Sequence, residues 1–177
     1  MRPLILIITL LLISFISFSQ QPFEAGGEYM RSIGQGFQDN IAGLRTEAFS
    51  KKNGFSLGLV YQFSSNSSYS SGKGFGFFGG YRYSFGKNVN GNNPFLGVKL
   101  MFNLLSWEGK SSLFSPMITP VAEAGYHLTF AKHIFATPAI GYGYTLRIMP
   151  DNNSLDEDAG KRIIPSLSAG YRFIKAN

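Results

Sequence analysis

Residues 139–148 read AIGYGYTLRI. Ile140, Tyr142, Tyr144, Leu146 and Ile148 share one parity, and Gly141, Gly143, Thr145 and Arg147 share the other. Successive side chains of a strand point to opposite faces of a sheet, so this stretch makes one face bulky and apolar and leaves the other almost bare. A half-buried strand of a soluble protein also alternates. Which face is buried, and in what, has to come from the rest of the chain.

The same parity rule recurs. Phe55, Leu57, Leu59, Tyr61 and Phe63 alternate with Ser56, Gly58, Val60 and Gln62, and comparable period-2 segments span residues 74–85, 96–104, 122–130 and 166–173. Weaker copies cover residues 42–48 and 24–33. With the opening stretch this predicts eight strands, each near the ~9 to 11 residues that a tilted strand needs to cross a bilayer. An even strand number is what a bacterial single-chain barrel has. The connections alternate in length. GQGFQDN, SSNSSYSSGKG, SWEGKSSLFSP and MPDNNSLDEDAGKR are long, whereas KKNG and AKH are tight and GKNVNGNNP lies between. The Asn53-Gly54 pair is a strong hairpin signal. Four long links on one side and shorter turns on the other predict outer loops, periplasmic turns and both chain ends in the periplasm.

Composition agrees. Gly accounts for 21 of 177 residues and aromatics for 15%, while charged residues reach only 15% against about 25% in a typical domain. The leader MRPLILIITLLLISFISFSQ has a positive start at Arg2, an apolar run and small Ser17 and Ser19, which is the pattern of a cleaved signal peptide over residues 1–19. Residues 20–177 then form the barrel domain. There is no cysteine, so disulfides, thiolate metal sites and lipid attachment through a cysteine do not arise. The formal charge of +6 comes without a Lys/Arg run, and nucleic acid is not an expected partner.

Volume decides which face points out. An eight-stranded barrel has an interior only just wide enough to be filled by side chains. Four or five large residues on each strand, on the order of thirty in all, cannot fit there, while a Gly, Ser and Thr face with occasional charges can. The bulky face must point outward, and a full apolar circumference suits lipid. Phe55, Phe85, Phe130, Tyr171 and Phe173 fall at one edge as a candidate aromatic girdle, and Tyr142 and Tyr144 face acyl chains.

These features, with the final PSLSAGYRFI, resemble the small outer-membrane β-barrel family of the OmpA/OmpX type. The resemblance implies an eight-stranded antiparallel up-and-down transmembrane barrel in the outer membrane. It also implies contact with lipid and lipopolysaccharide, and a C-terminal aromatic, here Phe173 with Tyr171 before it, that the barrel-assembly machinery reads. The chain departs from that pattern by continuing to IKAN. Fold alone does not deliver function.

The inward parity carries Glu28, Arg45, Glu47, Arg82, Lys99, Glu123, His127, Arg147 and Arg172. Charges in a narrow interior are costly unless paired, so these residues are expected to form an ion-pair network filling the lumen. A gated, weakly conducting pathway is the alternative. His127 and Thr129 make a His-x-Thr pair that faintly resembles the His-x-Ser of lipid A deacylases, with Glu123 as an orienting acid. Thr in place of Ser, and an inward parity, weigh against that enzyme. His127 and His133 lack the spacing of a zinc site, and Asp151 to Asp158 lack that of a calcium loop, so no metal or other cofactor is expected. The expected function is therefore non-enzymatic, with a structural or recognition role through four outer loops and an extracellular ligand that the sequence does not name. A secreted lipocalin-like barrel is a second alternative, and it needs the bulky face inside.

Overall fold

The computed structural model describes residues 22–34, 37–65, 72–86, 91–107, 115–148 and 160–174. The leader lies outside them, as do residues 35–36, 66–71, 87–90, 108–114, 149–159 and 175–177. Eight strands follow in order: β1 (Phe23–Gly34), β2 (Phe37–Ser50), β3 (Asn53–Ser65), β4 (Gly72–Ser84), β5 (Asn93–Trp107), β6 (Ser115–Phe130), β7 (Ile134–Arg147) and β8 (Gly160–Phe173). Each pairs antiparallel with its sequence neighbours, and β1 pairs with β8 from Phe23↔Phe173 to Gly34↔Arg162, closing the barrel. Closure pairs the backbone without leaving an edge, which is the condition for strands to cross lipid. The chain enters and leaves at one end, here called the base, which also holds the turns at 51–52, 85–92 and 131–133. The opposite end is the mouth.

The predicted parity holds on every strand. Leu44, Leu59 and Phe75 are about 70% exposed on the outside, while Gly141 and Gly143 are buried in the interior. A Cβ on Gly141 would lie 2.6 Å from Val121 Cγ1, and one on Gly143 would lie 2.7 Å from the Pro120 carbonyl oxygen. The bare face of AIGYGYTLRI is bare because β6 leaves it no room.

Three expectations need correction. The strands run longer than the alternation suggested, because β6 passes through Pro116 and Pro120, β7 through Pro138 and β8 through Pro165. Proline lacks the ladder donor and reads as a strand boundary. Here the β6–β7 ladder skips from Ile118↔Leu146 to Val121↔Gly143 around Pro120 and resumes. The link GQGFQDN is mostly strand, since β2 starts at Phe37. Only residues 35–36 separate β1 from β2, so three long links remain at the mouth rather than four. Finally, Asn53-Gly54 is not the turn. Ser50 pairs with Asn53 across Lys51-Lys52, and Lys51 takes the positive φ of 55°. Gly54 is glycine for a different reason, since a Cβ there would sit 2.3 Å from Glu47 Oε1 and 3.0 Å from Arg82 Cγ.

Candidate functional site

The lumen is filled in four layers. Nearest the base, β1, β2, β4, β6 and β8 send in Glu24, Glu47, Arg45, Arg82, His127 and Arg172, all buried. Arg172 donates from Nε to Glu24 Oε1 at 2.7 Å, and its Nη2 lies 2.7 Å from the same oxygen. Arg82 Nε lies 2.7 Å from Glu47 Oε1, and Arg45 bridges to the other Glu47 oxygen while donating to Ser168 Oγ at 2.9 Å. Rings complete the layer. The Arg82 guanidinium sits 5.0 Å from the Phe49 ring centre and 4.9 Å from that of Phe95, so it is held between two π faces.

His127 is the hub of this layer. Its Nε2 is 3.1 Å from Glu24 Oε1 and 2.7 Å from Arg172 Nη2, and its Nδ1 is 2.8 Å from Thr137 Oγ1 and 3.2 Å from Arg82 Nη2. Arginine only donates and a neutral imidazole has one acceptor nitrogen, so either Nδ1 accepts from Arg82 while Nε2 donates to Glu24, or Nε2 accepts from Arg172 while Nδ1 donates to Thr137. Thr129 Oγ1 lies 3.4 Å from His127 Nε2, but the histidine is 2% exposed and faces the lumen. Glu123, the third member of the deacylase reading, belongs to another group: its Oε2 lies 3.3 Å from Lys99 Nζ.

Above this layer Lys99 reaches Glu28 Oε1 at 2.5 Å and lies 4.8 Å from the Phe78 ring centre. A septum follows. Met30, Ile41, Val60, Phe78, Met101, Val121 and Ile164 form one apolar cluster across the lumen, drawn from every strand except β7, whose Gly141 and Gly143 make space for Val121. Phe78 crosses to β3, where a Cβ on Gly58 would be 2.2 Å from its ring. The mouth-side layer is polar. Gln62 donates to Asp39 Oδ1 at 2.8 Å and Thr119 and Thr145 hydroxyls are 3.0 Å apart. These four, with Ser32, Asn103 and Arg162, help line a cavity of about 20 Å³, room for about one water.

Of the inward residues predicted from sequence, Glu28, Lys99 and Glu123 meet in one group and Arg45, Glu47, Arg82, His127 and Arg172 in another. The side chain of Arg147 lies outside the described residues. Sequence reasoning left out Glu24, the acceptor at the centre of the lower layer, although its parity with Glu28 was visible. It also left out Arg162 and Asp39, which had been assigned to links. The interior is more apolar than the predicted Gly, Ser and Thr face, because Phe49, Phe95 and Phe135 lie inside at the base, past the ends of the predicted segments.

On the outside, Phe55, Phe85, Phe130, Tyr171 and Phe173 are exposed at the base. Phe55 packs against Tyr81, Phe85 against Tyr83 and Phe173 against Tyr171 with ring centres 5.0 to 5.4 Å apart. Tyr142 and Tyr144 are exposed along β7. With Leu57, Leu59, Leu96, Val98, Leu100 and Ile140 they make the barrel wall continuously apolar.

A closed antiparallel barrel of eight strands, apolar outside and filled inside, has the fold of the small outer-membrane β-barrels. In particular, the chain is similar to the N-terminal β-barrel domain of Pseudomonas aeruginosa OprF, with a TM-score of 0.62 and 17% identity over 87% of this chain and 98% of that one. It is similar to Neisserial surface protein A (TM-score 0.60, 16% identity, 87% and 96% covered) and to the outer membrane protein OprG of P. aeruginosa (0.54, 14%, 88% and 97%). No protein-family model and no curated protein sequence matches the chain.

Proposed function

We propose that the chain is an integral protein of a bacterial outer membrane, non-enzymatic, whose rigid barrel carries the links at its mouth as recognition elements. The observation that carries this reading is the exposed apolar wall: Leu44, Leu57, Leu59, Phe75, Leu96, Val98, Leu100 and Ile140 are each more than half exposed. In water that surface would far exceed the apolar patch of a few hundred Å² that a monomer tolerates. In lipid it is the matching surface.

Enclosure of His127 among Glu24, Arg82, Arg172 and Thr137 supports a structural histidine and opposes the deacylase role, which needs it open to lipid. The apolar septum and the paired charges support a lumen that does not conduct. Recognition then falls to the links at 66–71, 108–114 and 148–159, as is usual for loops held by a rigid scaffold. The test is fractionation followed by gel mobility with and without boiling. Recovery with the outer-membrane fraction and a heat-dependent mobility shift is expected. Folded protein recovered without detergent would overturn the proposal.

A further inference from the structure

The base of the barrel is basic in a way that the filled lumen does not explain. Lys51 and Lys52 are exposed in the β2–β3 turn, and Lys132 is exposed in the β6–β7 turn, half the circumference away in the strand order. No turn residue between the described strands at this end is acidic. The carboxylates of the lumen's base layer, Glu24 and Glu47, are 1% exposed and committed to Arg172, Arg82 and Arg45. Among the described residues no carboxylate pairs with these exposed lysines.

Backbone geometry adds to this. Lys51 has φ 55° and Lys132 has φ 68°, a left-handed region that Gly or Asn fills at lower cost. Lysine stands there in both turns. Lys52 Nζ lies 6.0 Å from the Tyr83 ring centre, and the aromatic girdle of Phe55, Phe85, Phe130 and Phe173 lies at the same end. Aromatic rings with lysine ammoniums beside them are the arrangement that amphipathic side chains adopt at a membrane–water interface.

We propose that the base is a docking surface for the anionic phosphodiester headgroups of the phospholipid leaflet it faces, bound by Lys51, Lys52 and Lys132. The proposal rests on the outer-membrane reading above. Cations on opposite sides of the rim, level with the girdle, fit a planar leaflet that surrounds the barrel. A single globular acidic partner would engage one side.

The test uses the full chain reconstituted in phosphatidylcholine vesicles with trace spin-labelled phosphatidylglycerol or spin-labelled phosphatidylcholine, comparing the motionally restricted fraction of each. Phosphatidylglycerol should associate more strongly by roughly threefold or more at low salt, and the preference should collapse near 1 M salt. In the variant carrying Lys51→Asn, Lys52→Gln and Lys132→Asn the ratio should approach one. Asn accepts the left-handed backbone, and a heat-dependent mobility shift checks that this variant folds. Equal association of the two lipids with the native chain, or an undiminished preference in the folded variant, would overturn the proposal. Restriction of neither lipid would instead overturn the outer-membrane reading, and this proposal with it.

Discussion

At the residue scale the barrel depends on its buried charges having partners. Arg172 is fully buried and holds Glu24 through two nitrogens. Removing one partner of such a pair leaves an uncompensated charge and typically costs about 3–5 kcal/mol. Arg172→Ala should lower the unfolding free energy of the refolded barrel, measured in urea, by that order, and adding Glu24→Gln should recover part of the loss. If the two losses simply add, the pair is not coupled. Packing gives a second prediction. Gly58→Ala puts a methyl into the Phe78 ring and should cost about 1–3 kcal/mol as overpacking, with Phe78→Leu in the same chain relieving it. Neither contact could be read from the sequence, where Gly58 and Phe78 are merely two inward positions on neighbouring strands. Parity tells which face a residue joins and is silent on the register that sets Gly58 beside Phe78 and Glu24 beside Arg172.

At the element scale, what was legible follows from what the solvent on each side demands. The middle of every strand alternates because one face forms the exposed apolar wall and the other a cramped lumen, so the strand number and parity were readable. Strand ends were not. There the chain leaves the apolar zone, prolines interrupt a ladder at Pro120, Pro138 and Pro165 without ending the strand, and polar residues such as Asp39 and Arg162 turn inward while looking like loop. Asn53-Gly54 misled because a glycine required by the Glu47–Arg82 pair resembles a glycine required by a turn. The β6–β7 turn carries its own prediction. Ala131 has φ 48°, and Ala131→Gly should raise stability by about 0.5–1 kcal/mol through relief of that backbone, read as a higher urea midpoint. A lower midpoint would mean that the turn does not hold this conformation.

For the whole molecule, the four lumen layers predict a closed barrel. Planar bilayers holding the native protein should show no stable conductance steps, and Phe78→Ala with Met101→Ala, which removes two of the septum's large buried side chains, should introduce leak current. Steps in the native protein would show that the septum opens. Lipid exposure predicts a depth dependence as well. Leu59→Arg, near the middle of β3, should cost about 2–4 kcal/mol, and Phe55→Arg, near the base edge, about 0–1 kcal/mol for its charge. A soluble barrel would tolerate both substitutions alike.

The central claim is that the bulky face of each strand lies in lipid, and Leu59 tests it best. Trp107 is the only tryptophan, so Trp107→Phe with Leu59→Trp leaves a single reporter on the outer wall. In vesicles of phosphatidylcholine brominated deep in the acyl chain, its emission should be blue-shifted and strongly quenched. Emission typical of water, unchanged by the bromines, would contradict the account.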